Sequence, residues 1–319
     1  MKRLVVSEST GALRVEDLTS SPPLEELGAA TLADRLRAYI ALTKPRIIEL
    51  LLVTTVPAMI LAAQGLPSIG LIVATLLGGT LSAAGANAIN CYLDRDIDAV
   101  MPRTKRRPLP THRITPRSAL AFGSALGIIA LVWMWVTINA AAAFLSFGAL
   151  LFYVFIYTLA LKRSTPQNIV IGGAAGAAPV LVGWAAVTGT IDLPAIGLFG
   201  IIFYWTPPHF WALSMRYEKE YAAAGVPMMP VVYGRRETTR HVLLYSFILL
   251  AMCLVLFSVA QMGMVYLGAT VILNAVFVGW AIRLWRNPSP KLAWGLFRFS
   301  IYYLAFLFLA IALDVLIST

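Results

Sequence analysis

Apolar residues run through most of this chain in blocks of about twenty, separated by short polar connections, at 45–64, 70–93, 117–138, 140–161, 167–188, 193–215, 241–261, 265–285 and 297–317. A helix of that length crosses the hydrocarbon layer of a bilayer, about 30 Å thick. The blocks are about twice as long as a membrane β-strand requires, and lipid offers backbone amides no partners. The pattern therefore predicts an all-α fold, a polytopic membrane bundle of nine transmembrane helices. Residues 1–34 mix acids, Ser and Pro without an uninterrupted apolar run, so they read as a mobile tail and not as a cleaved signal. Residues 35–319 read as a single transmembrane domain.

Composition agrees. Of 319 residues, 59% are hydrophobic and 13% charged, and the mean hydropathy of +0.79 excludes an ordinary soluble domain. A net charge of +10 would suit a nucleic-acid partner, but the placement of the cations excludes that class. They lie from Lys2 to Arg46, from Arg95 to Arg117, at Lys162 and Arg163, from Arg216 to Arg240 and from Arg283 to Arg298. The intervening connections 65–69, 189–192 and 262–264 carry none. By the positive-inside rule the N-terminus is cytoplasmic and the C-terminus outside, in the cell (inner) membrane, with membrane lipid as the surrounding partner. Cys91 lies on the cytoplasmic side and Cys253 within the seventh span, so no structural disulfide is expected.

The two long connections, 94–116 and 216–240, fall on the same side, four spans apart, and each opens with acids at a helix end. This hints at two four-helix halves that each contribute one acidic cluster. Asn90, Asp94 and Asp98 recur every four residues, about 400° of helix turn, and so share one face. Carboxylates at a helix C-terminus face the negative end of its dipole, which favours ligand function over a solvated helix end. An oxygen-only set of this kind suits Mg²⁺, which is usually shared with substrate phosphates that nearby cations also hold. Asp96 points away, toward Arg95, Arg103 or solvent. Arg103 and Arg107 precede Pro108 and Pro110, whose extended backbone could fold the loop over the acids. The second cluster is Arg216, Glu218, Lys219 and Glu220, followed by Tyr221. Lys44, Arg46, Lys162 and Arg163 sit at span ends on the same side, where topology alone would place them, but one from each pair could reach a diphosphate. His209 follows Pro207 and Pro208 at an expected break in the sixth span, beside Trp205 and Trp211, and is a candidate substrate contact. Gly78, Gly85, Gly172, Gly173 and Gly176 read as close helix contacts.

The run from Asn90 through Asp94 and Asp98 to Arg103, Arg107 and Pro110 resembles the first aspartate motif of the UbiA-type intramembrane prenyltransferases. Its wording is closest to the branch that farnesylates heme. Leu42-Thr-Lys44-Pro-Arg46, the run from Leu161 to Gly173, Pro208-His209-Phe-Trp211 and Glu220-Tyr221 to Pro227 agree with that branch, over about residues 40–240. The resemblance implies that Asn90, Asp94 and Asp98 bind Mg²⁺ and the diphosphate of farnesyl diphosphate, with Arg103 and Arg107 on the phosphates and Lys162 and Lys219 as further contacts. It implies heme b as the acceptor, with a downstream heme-processing enzyme or terminal oxidase assembly factors as partners. Glu220 stands where the branch has an acid before Tyr221; it is Glu where Asp is expected, and the wider family's second pair of spaced aspartates is absent. Two rivals are open. Polyprenyl transfer to an aromatic quinone precursor would share the motif, whereas a transporter would place acids at the bilayer midplane in inverted repeats.

Overall fold

A computed structural model describes residues 31–318, without the side chains of residues 46–52. Most of the tail expected over residues 1–34 thus lies outside the described residues. Among the described residues every element is helical: α1 (Leu32–Thr43), α2 (Pro45–Ala63), α3 (Ile69–Leu93), α4 (Arg95–Val100), α5 (Pro116–Thr137), α6 (Ala140–Leu151), α7 (Asn168–Thr188), α8 (Leu193–Arg216), α9 (Glu218–Ala223), α10 (Met229–Val259), α11 (Met264–Arg286) and α12 (Pro290–Ser318). α6 continues through Phe152–Leu161 in wider π-type turns.

Local chemistry explains the boundaries. The side chains of Thr31, Ser68, Thr115 and Asn139 accept amide hydrogen bonds at the starts of α1, α3, α5 and α6. Proline opens α2, α5, α8 and α10, where no amide hydrogen is needed. Seven helices, α3, α5, α6 with its extension, α7, α10, α11 and α12, are long and apolar enough to cross a membrane. α2 and α8 occupy the other two expected spans; α8 has 24 residues, but Pro207, Pro208 and His209 dilute its apolar character. Pro207 and Pro208 do not break α8, which corrects the expectation for the sixth span. α10 starts at Met229, well before residue 241, and turns sharply at Gly234, whose φ of 74° suits glycine.

The nine long helices of the described residues pack in chain order as a closed ring, α2–α3–α5–α6–α7–α8–α10–α11–α12 and back to α2. Contacts of α2 with α7 and of α8 with α12 pinch the ring across its middle. The half formed by α8 and α10–α12 is filled by a continuous apolar core that includes Trp205, Leu249, Tyr266 and Tyr303. In the other half α3 and α5 cross closely at Gly85, Gly123 and Gly127.

That crossing has no room for a methyl group: a Cβ on Gly85 would lie 2.7 Å from the Gly123 carbonyl oxygen. Gly85→Ala is expected to lower stability by about 1–3 kcal/mol. Gly148→Ala, whose Cβ meets nothing within 4 Å, should be neutral or slightly stabilising. Unfolding titrations in mixed micelles compare the two.

Candidate active site

The expected acidic face forms because α3 and α4 are almost one helix. Asp94 joins them, and the amides of Asp94 and Asp98 still donate to the carbonyls four residues earlier, at 2.9 and 2.8 Å. Asn90, Asp94 and Asp98 therefore stay on one side, and all three are buried, at 3%, 1% and 3% exposure. Buried carboxylates require compensating charge, which arrives from segments far away in sequence. Lys162 donates to Asp94 Oδ2, which also accepts from the Asn90 amide at 2.8 Å. Arg107 donates to both Asp98 oxygens, at 2.8 and 2.7 Å.

Lys44 completes the group. It joins α1 to α2 in a left-handed conformation (φ 52°), uncommon for a residue with a side chain, and donates to Asn90 Oδ1 at 2.7 Å. Its approach is set by α1, which is tied to α3 by Asn87 Nδ2 donating to the Thr43 carbonyl at 2.9 Å. Burial lowers the Lys44 pKa, with Arg107 and Lys162 also pushing it down. For Arg107 burial opposes the charge, but Asp98 outweighs it and the pKa is raised.

The wide turns after α6 bring further residues to the site. In π geometry an amide bonds to the carbonyl five residues back, and Lys162 N still donates to the Tyr157 carbonyl at 2.8 Å. Thr158 Oγ1 donates to the Tyr153 carbonyl at 2.8 Å and accepts from Asn90 at 3.1 Å, fixing which end of the Asn90 amide faces Lys44. The sequence reading missed Thr158, because its only signal was one polar residue in an apolar run. From Asn87 a cavity of about 170 Å³ runs into the bundle between α2, α3, α6 and α7, lined among others by Thr75, Ser82, Ser146, Tyr153 and Pro179. From Thr75 to Asn87 it follows α3 for about 18 Å.

The second cluster repeats the architecture of the first: like α3 and α4, the long α8 is followed by a six-residue helix, α9, that carries acids. Arg103 connects the two, donating to the Tyr221 hydroxyl at 3.3 Å and lying over the rings of Tyr217 and Tyr221. Tyr221 is buried, which raises its pKa. Glu220 Oε2 and Asp94 Oδ1 are buried oxygens without a hydrogen-bond partner, and orphaned carboxylate oxygens are the donors a hard cation takes. Among the described residues, however, no three acid, His or Cys side chains converge as a finished metal cage, since Arg107 and Lys162 occupy the acids.

Several expected residues stand elsewhere. Lys219 is exposed on α9, and the side chain of Arg46 lies outside the described residues. Glu218 pairs with Arg235 at 2.7 Å. The loop holding Pro108 and Pro110 is a succession of tight turns and not extended backbone, yet it does return Arg107 to the acids. His209 is on α8, stacked on Trp205 at 4.2 Å and beside Phe297, with Nδ1 2.6 Å from Ser300 Oγ. Ser300 donates its own proton to the Phe297 carbonyl at 2.7 Å, so Nδ1 is the donor and Nε2 of a neutral ring keeps its lone pair. Asp96 pairs with neither Arg95 nor Arg103: Arg163 grips both its oxygens at 2.6 and 2.7 Å and also donates to the Leu93 carbonyl at 3.0 Å. Arg163 thereby straps the α3–α4 junction to the α6–α7 turn beside Lys162.

The profile of the UbiA prenyltransferase family matches residues 51–311. A relative from Parafrankia sp. (strain EAN1pec) called protoheme IX farnesyltransferase is 54% identical over 294 residues, covering 91% of this chain and 93% of the relative. A relative of the same name from Frankia alni is 52% identical, covering 89% and 99%. Among solved structures, a digeranylgeranylglyceryl phosphate synthase has a similar fold at a TM-score of 0.74 and 20% identity, covering 88% of this chain and 99% of its own. A UbiA homolog from Archaeoglobus fulgidus bound to GPP and Mg²⁺ follows at a TM-score of 0.58 and 17% identity, covering 86% and 99%.

The Arg163–Asp96 strap carries a pH signature. Its hydrogen bonds hold the Asp96 pKa at about 2, below the ordinary 3.8. A depressed acid stabilises the fold above its unfolded pKa, so the coupling should be full above about pH 4 and lost as pH falls through about 2. A double-mutant cycle of Arg163→Ala and Asp96→Ala, followed by unfolding against pH and salt, should show a small coupling, because the pair is largely exposed, that fades in that window.

Proposed function

The chain belongs to the UbiA prenyltransferase family, and from that membership we propose that it transfers a farnesyl group from farnesyl diphosphate to the vinyl group of heme b, with addition of water, giving heme O and diphosphate. The observation that carries this reading is a pair of buried acids, Asp94 and Asp98, ringed by Lys44, Arg107 and Lys162, on the continuation of the helix whose Asn87 lines a largely apolar cavity. The relatives' name supplies the acceptor.

Arg103, Arg107, Lys44 and Lys162 hold the phosphate oxygens, with Lys219 as an outer contact. Asn90, Asp94, Asp98 and Glu220 are the residues that would hold Mg²⁺, which when bound draws negative charge off the departing diphosphate. The farnesyl chain lies along α3 in the cavity, whose apolar lining excludes water from the reacting carbon. As the allylic C–O bond breaks, diphosphate leaves with the electron pair toward the fixed cations, which are preorganised to receive it. The Tyr153 ring, at the cavity mouth, stabilises the allylic cation through its π face. The heme vinyl carbon forms the new C–C bond; water then adds to the resulting porphyrin-side cation and loses a proton. His209 Nε2, with its lone pair left open by Ser300, contacts the heme, and Tyr221 holds Arg103 against the second cluster.

Nine spans, including α2 and α8, cross the cell membrane with the N-terminus cytoplasmic and the C-terminus outside, so the acids and their cations face the cytoplasm. Both long helices that end in acids then deliver their short helices to that surface. Same-sided clusters suit chemistry and not alternating access.

Incubating the purified chain in detergent with heme b, farnesyl diphosphate and Mg²⁺ should yield heme O by mass, and a chelator should suppress it. An aromatic quinone precursor prenylated in place of heme would overturn the acceptor. Asp94→Asn should lower turnover by about 10²-fold or more while the protein stays membrane-inserted. Glu220→Gln should be impaired as well; normal kinetics there would reduce Glu220 to a structural acid. His209→Ala should alter the Soret band of bound heme.

A further inference from the structure

The acids of this site are already engaged. Both Asp98 oxygens accept from one Arg107 nitrogen, and Asp94 gives Oδ2 to Asn90 and Lys162. Their counter-charges are thus two of the cations that would hold phosphate. Four cations, Lys44, Arg107, Lys162 and Arg163, stand with three carboxylates, Asp94, Asp96 and Asp98. The cluster is one charge positive before any ligand arrives.

We propose that Arg107 and Lys162 form an internal latch that keeps Asp94 and Asp98 from a divalent cation until a diphosphate draws the two side chains away, so that cation and diphosphate bind only together. This rests on reading the site as one for a diphosphate. A divalent cation alone meets a positive cluster and must evict Arg107 from its buried partner. A diphosphate alone meets two buried carboxylates at short range, unfavourable in a region of low dielectric. When both arrive, the anion takes Arg107 and Lys162, the released carboxylates take the cation, and the charges cancel. The exchange needs only side-chain rotation: Arg107 and Lys162 are 29% and 15% exposed, while the acids they cover are 4% and 1%. Asp94 Oδ1, which accepts no hydrogen bond and has only the Arg163 guanidinium 3.8 Å away, gives the incoming cation its first oxygen. The latch also fixes the order of events. No metal waits in the site to ionise a diphosphate before the chain behind it is seated, and departure of diphosphate with its metal closes the acids again.

The test uses the full chain in detergent with two probes: Mn²⁺ alone, followed by its electron paramagnetic resonance signal, and radiolabelled inorganic pyrophosphate, bound in chelator or in Mg²⁺. For the native protein Mg²⁺ should strengthen pyrophosphate binding at least roughly tenfold, and Mn²⁺ alone should bind weakly. Arg107→Gln and Lys162→Gln should bind Mn²⁺ alone roughly tenfold more tightly than the native protein and pyrophosphate more weakly; a folding defect would weaken both. Asp98→Asn, which releases Arg107 without stranding a buried charge, should bind pyrophosphate severalfold more tightly in chelator. Pyrophosphate binding indifferent to Mg²⁺ in the native protein, or Mn²⁺ binding no tighter in the Gln variants, overturns the latch, as does unchanged or weaker chelator-phase binding in Asp98→Asn. The heme assay separates this from the proposed reaction: coupled binding without heme O keeps the latch and removes the acceptor, and heme O without coupling does the reverse.

Discussion

Two carboxylates buried at one end of a helical bundle set the terms for everything around them. Asp94 and Asp98 are almost inaccessible to water, and an isolated buried carboxylate costs several kcal/mol unless cations and hydrogen bonds surround it. The chain meets that demand from three directions. The α1–α2 corner sends Lys44, the turn after α6 sends Lys162, and the loop after α4 folds back to place Arg107. Each of these segments takes a conformation that makes sense only toward the acids: a left-handed lysine, a stretch of wide turns, a tightly wound loop.

The ring of helices divides the work. The half from α8 to α12 is solid, held by apolar packing and by a buried polar chain in which Tyr303 donates to Asn274 at 3.1 Å and Tyr266 donates to the Cys253 carbonyl at 2.9 Å. The half from α2 to α7 keeps a cavity, bordered by small residues such as Gly79, Ala83, Ala86 and Gly176. Small side chains on α3 thus serve two ends, close contact with α5 on one face and open space on another. A half filled by apolar packing stands against a hollow half, and the acids lie on the continuation of α3, the helix that borders the hollow. The second short helix, α9, is joined to the loop after α4 through Arg103 and Tyr221.

Much of this was readable along the chain. Block lengths of apolar residues gave helices at all nine expected spans, and the four-residue spacing of Asn90, Asp94 and Asp98 placed them on one face as α3 runs into α4. The likeness of the two acidic connections is visible as a long helix followed by a short one, in α3–α4 and again in α8–α9. Other readings failed for identifiable reasons. Proline in a helix removes an amide donor and signals a break, but α8 carries Pro207 and Pro208 without one because neighbouring helices hold it on several sides. The beginning of α10 carries Arg235, Arg236, Glu237 and Arg240, so hydropathy hid several of its turns.

By itself the sequence determined the helical class, the one-sided distribution of charge and the acidic face, because these follow from the period of a helix and from the cost of polar groups in lipid, both of which act locally. Which cation meets which acid was decided by tertiary structure alone. The partners of Asn90, Asp94 and Tyr221 lie 46, 68 and 118 positions away in the chain, and no local pattern distinguishes Lys162 on Asp94 from Arg163 on Asp96. The widening of the helix at Phe152–Leu161, which turns Thr158 and Lys162 toward the acids, is likewise a response to what surrounds that helix. Ion pairing has no periodicity to read, because its energy depends on distance and burial, and these exist only once the ring has closed.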